Sequence, residues 1–264
     1  MTDRDLALRL AAASDVIRAA GRRAAALSGD REKLGVESKG LQDLVSVADK
    51  EAEALIRGRL GALFPGDGFL GEEEGGEISE RMWVIDPIDG TANFVRGIPY
   101  WCSVIAYVVE GRTELALTYD AVHDQLFTAR RGHGAFRDGR PIRASAVASG
   151  EEACIGLSYT YKTPPAVYGE LVGNLLAEKV DHRRLGSSAL TLCHVADGRL
   201  DGLVCPSCSS WDVIAGLLTV EEAGGRATDY TDGATLLDRR AVAAAAPGIA
   251  PLIERASGIP MARR

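Results

Sequence analysis

The sequence has no apolar run approaching the ~20 residues that a bilayer-spanning helix needs, so no transmembrane segment is expected. It also lacks any excess of positive charge: 30 Lys and Arg stand against 37 Asp and Glu, a formal net charge of −7. That balance argues against nucleic acid or an anionic membrane as a main partner. It leaves a phosphorylated small molecule open, because bound divalent cations invert the local field. Cys102, Cys154, Cys193, Cys205 and Cys208 form an odd set without the spacing of a disulfide framework. The opening Met1-Thr2-Asp3-Arg4-Asp5 lacks the basic and apolar regions of a secretory signal, so a reducing cytoplasm is the expected setting. His123, His133, His182 and His194 show no ligand spacing and read as structural or surface residues. No internal repeat, low-complexity segment or long linker divides the chain.

The periodicities predict how the chain is built. Leu6, Leu10, Ala13 and Ile17 fall at helical spacing and predict a helix up to about Leu27, followed by a hairpin or loop over 29–40. Ser46 with Asp49 resembles a capping box, opening a second helix through Ala52, Leu55, Ile56 and Leu63 that Pro65-Gly66 ends. From there to about Arg143 the chain is β-rich, with strands expected at 103–109, 114–119 and 125–130 and a hairpin turn at Asp138-Gly139. Beyond it strands (154–159, 200–205) alternate with helices (165–178, 187–197, 211–223), an α/β half layered against the first. The expected organisation is one compact unit of two subdomains, residues 1–145 and 146–264.

What the chain does have is concentrated acid. The apolar run Trp83-Val84-Ile85 leads straight into Asp86-Pro87-Ile88-Asp89-Gly90-Thr91: two carboxylates three residues apart, then a glycine and a hydroxyl. Glu72-Glu73-Glu74 lies just upstream, and Arg81 is the only Lys or Arg between Glu72 and Asp89. Crowding carboxylates costs several kcal/mol unless positive charge offsets it. A hard cation is the simplest partner, since magnesium takes oxygen ligands at about 2.0–2.1 Å and thiolate or imidazole sites suit softer metals. Glu72, Asp86 and Asp89 supply carboxylates, Pro87 stiffens the turn between the aspartates, and the Ile88 carbonyl is a further candidate donor. Two ions about 3.5–4 Å apart in such a site activate a water and stabilise the leaving oxygen.

Through Gly71-Glu72-Glu73, the run WVIDPIDGTANF (Trp83–Phe94), and Trp211-Asp212 before a helix ending Glu222-Ala223-Gly224-Gly225, the sequence resembles the inositol monophosphatase family of magnesium-dependent, lithium-sensitive phosphatases. Residues 43–49 (DLVSVAD) look like that family's early helix-entry motif, so the resemblance covers nearly the whole chain. It implies an α+β fold, the αβαβα layered sandwich shared with fructose-bisphosphatase, and a homodimer. It implies that Glu72, Asp86 and the Ile88 carbonyl hold one Mg2+, that Asp86, Asp89 and Asp212 hold a second, and that a third, weaker site lies near Glu72. Thr91, with Glu72 or Asp49, would orient and deprotonate the attacking water. Asp89 and the Gly90 and Thr91 amides would meet the substrate's phosphate end. Gly186, Ser187 and Ser188 would contact the alcohol, and Lys39 matches a lysine near the entrance. Seven positions before Asp212, where the family pattern has an acid for ring hydroxyls, this chain has Cys205, a poor acceptor.

Plainer readings stand beside these. A helix cap alone would explain Asp49, and a helix N-terminus favours Asp212 through its dipole. Glu73 and Glu74 read as solvated, and Thr91 as a turn hydroxyl is the alternative to catalysis. Cys205-Pro206-Ser207-Cys208 imitates a redox motif but lies inside the phosphatase pattern, so ordinary thiols are expected. Arg183-Arg184 is either a solvated pair or an attractor of phosphate. The expected activity is hydrolysis of a small phosphorylated alcohol, inositol monophosphate first. The alternatives are histidinol phosphate, a sugar phosphate or a nucleotide 3′-phosphate, and then a non-catalytic binding protein on the same scaffold.

Overall fold

In the computed structural model, which describes residues 1–28, 35, 37–40 and 43–262 (backbone only from 37 to 45), the chain stacks into five layers. The first is helical. In α1 (Asp3–Leu27) the residues Ala13, Val16, Ile17, Ala20 and Ala24 form one buried stripe, and Thr2 and Asp5 close a reciprocal cap at its start. A hairpin of β1 (Glu37–Gly40) and β2 (Asp43–Val45) leads to α2 (Val47–Leu63), which packs beside α1.

The second layer is an eight-stranded sheet. Its strands are β3 (Gly68–Gly71), β4 (Gly75–Gly76), β5 (Arg81–Asp89), β6 (Cys102–Val109), β7 (Arg112–Asp120), β8 (Gln125–Arg130), β9 (Gly134–Arg137) and β10 (Arg140–Pro141), in the order β10-β9-β8-β7-β6-β5-β3-β4. The short α3 (Thr91–Arg96) joins β5 to β6. Neighbours run antiparallel except β3 and β5. The turn between β9 and β10 is the expected Asp138-Gly139 pair, both at positive φ (51° and 74°), the geometry of a tight hairpin.

The remaining strands, β11 (Cys154–Leu157), β12 (Asp181–Arg183), β13 (Gly202–Cys208), β14 (Arg226–Ala227) and β15 (Arg240–Ala245), make a five-stranded sheet ordered β12-β11-β13-β15-β14. Helices α5 (Ser188–Ala196) and α6 (Ser210–Glu222) fill the space between the sheets, while α4 (Pro165–Ala177) and α7 (Ala250–Ser257) cover the outer face of the second. The result is the α-β-α-β-α sandwich. No described helix is long and apolar enough to cross a membrane.

Strand β5 explains why the acids converge. It is buried on both faces: Trp83 and Ile85 point toward α1 and α2, Met82 and Val84 toward α5 and α6. By that alternation Asp86 faces the inter-sheet side and Asp89, three residues on, would face away. A β-bulge lies between them, because Asp86 pairs with Val104 but Asp89 with Cys102. The extra residue resets the alternation so that both aspartates open on the same cleft. Pro87 sits inside the bulge, where its missing N–H costs no ladder bond, and its carbonyl accepts from Ser103 Oγ at 2.7 Å.

Trp83 anchors β5 to the helical layer, packing on Tyr107 (ring centroids 4.5 Å apart) and Phe64 (6.0 Å), with its indole N–H buried without a partner. Packing rather than hydrogen bonding is therefore its contribution. Trp83→Ala should cost about 3–5 kcal/mol in urea unfolding, and Trp83→Phe less than half of that. Equal losses in the two variants would contradict this account.

Candidate metal centre and phosphate cleft

Parallel pairing of β3 with β5 sets Gly71 beside Ile85, and the Glu72 amide donates to the Ile85 carbonyl at 3.2 Å. Glu72 and Asp86 therefore leave adjacent strand ends together. Asp212 arrives from the first turn of α6, and one carboxylate oxygen of each of the three lies within 4.8 Å of the others. These residues, with Ile88, Asp89, Gly90 and Thr91, line a cleft of about 510 Å³ between the two sheets.

The aspartates share one construction. Asp86 Oδ1 accepts from the Ile88 amide (3.0 Å). Asp89 Oδ2 accepts from Ser187 Oγ (2.6 Å) and from the Ala189 amide in the first turn of α5 (2.7 Å). Asp49 Oδ2 and Asp212 Oδ2 accept from the amides of Ser46 (2.8 Å) and Ser209 (3.0 Å), the N-caps of α2 and α6. One oxygen of each is thus spent on the scaffold, fixing the side chain while the carboxylate stays in place. Asp49 and Asp212 are the N3 residues of the capping boxes that open α2 and α6.

The cluster is strained electrostatically. Burial, and then the charges of Glu72, Asp89 and Asp212, push the Asp86 carboxyl well above the usual range. Burial, and then Asp212, push Asp89 up to about 7 against its hydrogen bonds from Ser187 and Ala189. Burial lifts Asp49 to about 6 despite Ser46. The second oxygen of Asp86 is buried with no hydrogen-bond donor, an acceptor left for a proton, a water or a cation. An all-oxygen donor set with one such orphan fits a hard divalent cation.

Thr91 Oγ lies 3.0 Å from the Ile88 carbonyl and 3.4 Å from Asp49 Oδ1, so Asp49, although absent from the cleft wall, stands one hydrogen bond behind it. Gly90 has φ +98°, and a Cβ there would meet the Gly186 and Tyr100 carbonyls at 3.2 Å. Only glycine lets the two loops close this tightly. Asn93 staples them, donating to Tyr100 O and Leu185 O at 2.8 Å each.

Not every expected residue reaches the cleft. Gly186 and Ser188 line it, but Ser187 is buried, spending its hydroxyl on Asp89 and the start of α5. Cys205 is also turned away: it is buried between the sheets beside Cys208, because its place on β13 belongs to the inward face. Lys39 lies on β1, and its side chain is outside the described residues. Of the arginine pair, Arg184 lines the cleft while Arg183 pairs with Asp181 on the far edge. Glu73 and Glu74 contribute backbone: both amides donate to Glu53 (2.9 and 3.3 Å).

Glu53 is a residue the sequence reading missed. It is fully buried on α2, held by Arg57 at 2.7 Å, and its carboxylate occupies the space a Cβ on Gly71 would need. The available signal was its spacing, four residues after Asp49 and four before Arg57 on one helix face. Arg96, Lys162 and Arg239 were missed as well; all three line the cleft, Arg96 from the end of α3 and the other two from loops distant in sequence. Because Glu53 fixes the loop that presents Glu72, Glu53→Gln should weaken divalent-cation binding about 10–100-fold in calorimetric titration. Unaltered affinity in a folded variant would remove Glu53 from the site.

The comparisons with known proteins agree with this geometry. A model of the inositol monophosphatase family matches residues 5–258. An inositol-1-monophosphatase of Mesorhizobium japonicum is 40% identical over 230 residues, 85% of this chain and 86% of that protein. The Nus factor SuhB of Escherichia coli K12 is 40% identical over 200 residues, 74% of this chain and 75% of that protein. Among solved structures, a Thermotoga maritima IMPase superposes with a TM-score of 0.85 at 30% identity, over 97% of each chain. Sequence, fold and acidic cleft converge on one assignment: the chain belongs to the inositol monophosphatase family.

Proposed function

We propose that this family phosphatase hydrolyses a small phosphorylated alcohol with magnesium, inositol 1-phosphate being the first candidate. The observation that carries the reading is the convergence of Glu72, Asp86 and Asp212 around an orphaned buried oxygen, next to the Gly90–Thr91 turn. Glu72, Asp86, Asp89, Asp212 and the Ile88 carbonyl would hold two or three Mg2+ ions, which supply Lewis-acid stabilisation of phosphate charge and a nucleophile at neutral pH. The Thr91 hydroxyl orients the attacking water. Asp49 behind it, or Glu72, takes the proton. The amides of Gly90 and Thr91 hold phosphate oxygens, and Gly186 and Ser188 meet the alcohol. The same reading carries lithium sensitivity, a homodimer and a cytoplasmic setting.

The chemistry is shared by sugar, histidinol and nucleotide phosphates, and Cys205, buried where the family pattern has an acid, keeps inositol from being singled out. A second reading, a binding role without catalysis, draws on the relatives named Nus factor SuhB. The complete carboxylate set gives catalysis precedence, since binding alone would not require it.

Asparagine keeps the side-chain volume and an acceptor oxygen for the Ser209 and Ala189 amides, so Asp212→Asn and Asp89→Asn should keep the circular dichroism spectrum. Each should lower kcat for magnesium-dependent phosphate release by at least about 10²–10³-fold. Retained turnover in both would sink the reading.

The raised carboxyls also fix a pH dependence. Above the ordinary carboxylate value of 3.8 the unfolded chain has released protons that Asp89 holds up to about 7 and Asp49 up to about 6. The folded state therefore binds more protons across that window, and these groups lower stability as pH rises through it. Magnesium takes the ionised form and relieves the repulsion. The gain in Tm on adding magnesium should be larger at pH 8 than at pH 5.5 in scanning calorimetry; an equal or smaller gain at pH 8 would contradict the assignment.

A further inference from the structure

Strand β11 ends beside the position where the family pattern has an acid. Leu157 pairs with Val204, and the Ser158 amide donates to the Val204 carbonyl at 2.9 Å. Cys205, next along β13, is buried in the core between the sheets, so its side chain offers the cleft no acceptor. The segment that does enter the cleft is the one after β11: Ser158, Tyr159, Thr160 and Tyr161 line it. Ser158 Oγ and Ser188 Oγ share a hydrogen bond of 2.8 Å. That bond ties the segment to one of the two residues that meet the alcohol in the proposed function.

Two aromatic rings stand in this segment. Tyr159 is partly buried and held by three neighbours: the Tyr168 ring from the first turn of α4 (centroids 4.8 Å apart), the Tyr161 ring (5.5 Å, planes at 68°) and the Arg184 guanidinium (5.7 Å from the ring centre). Tyr161 is 53% exposed. A single exposed ring is ordinary on a protein surface, but this one extends a packed aromatic cluster along a cleft wall, and ligand clefts are lined mainly by apolar and aromatic side chains. Among the described residues neither phenol hydroxyl takes a hydrogen bond, so ring packing is what fixes the pair. A ring already fixed loses little rotamer freedom when a ligand covers it. An acid reads hydroxyls one by one through its acceptor oxygens. A ring face instead contacts C–H surface, wherever the hydroxyls lie.

Resting on the phosphatase reading, we propose that Tyr159 and Tyr161 are specificity residues that receive the alcohol by its C–H face, so that this chain selects for a ring and reads the ring's hydroxyls only weakly. Tyr168 and Arg184 hold the first ring in place, and Tyr161 supplies the open surface. Recognition by contact then takes over where Cys205 supplies no acceptor, and it is set by residues outside the carboxylate cluster that performs the chemistry.

Three phosphate esters of secondary alcohols separate ring from hydroxyls in magnesium-dependent phosphate release. Isopropyl phosphate has neither, cyclohexyl phosphate has the ring alone, and inositol 1-phosphate has both. In the native protein cyclohexyl phosphate should exceed isopropyl phosphate about tenfold in kcat/KM, the difference lying in KM because the contact is made alike in ground and transition states. Inositol 1-phosphate should differ from cyclohexyl phosphate by less than that. In the double variant Tyr159→Ala, Tyr161→Ala the ring preference should fall below about twofold, while Tyr159→Phe, Tyr161→Phe should keep it. Because each preference is a ratio within one protein, altered folding does not mimic the effect. Four results each overturn this inference and leave the phosphatase reading standing: equal kcat/KM for cyclohexyl and isopropyl phosphate in the native protein, a gain from the hydroxyls larger than the gain from the ring, a preference that survives in the alanine pair, or one that is lost in the phenylalanine pair. No release from any ester overturns both.

Discussion

The site depends on one constraint: several carboxylates must be held together although they repel one another. A mobile acid would swing toward water, and the cluster would disperse. Here each aspartate accepts from a backbone amide, that of Ile88, Ala189, Ser46 or Ser209. Three of those amides belong to a helix N-cap or first turn, where backbone donors lack helical partners and the dipole favours negative charge. The fold brings three helix starts and one strand bulge to the same place, and that is the form its solution to the repulsion takes.

The middle layer follows from this. Helices α5 and α6 are almost wholly buried between two sheets, and their N-termini emerge together at the cleft. Apolar burial therefore sets the position of Ala189 and Asp212 to the precision of a packed interior. The sheets add different residues. The first supplies Glu72, Asp86 and Asp89 from the ends of β3 and β5; Asp212 enters from α6, just after β13 of the second.

Much of this was legible in the sequence because it is local. A capping box spans four residues, a hairpin turn two, and the Asp86–Thr91 run holds its two carboxylates, glycine and hydroxyl within six positions. Residues that act through a local device, such as Asp49 and Asp212, could be named with the device. Ser187 and Cys205 could not be placed because position in a motif does not say which way a side chain turns. Ser187 is captured by an aspartate 98 positions away, and Cys205 follows the inward alternation of β13. Arg239 was missed for the same reason: Ser207 and Ser209 become its neighbours only when the chain has packed; for Glu53 the spacing to Arg57 was readable, but its bond to the Glu73 amide was not.

The raised carboxyls show what the arrangement costs. A protein selected for stability alone would replace Asp86, fully buried with an unsatisfied oxygen, by an apolar or amide side chain. The chain keeps it, and strengthens the surrounding structure with Trp83, the Glu53–Arg57 pair and the Asn93 staple. Local rules are broken at one place and obeyed around it, which is the pattern expected where function opposes stability.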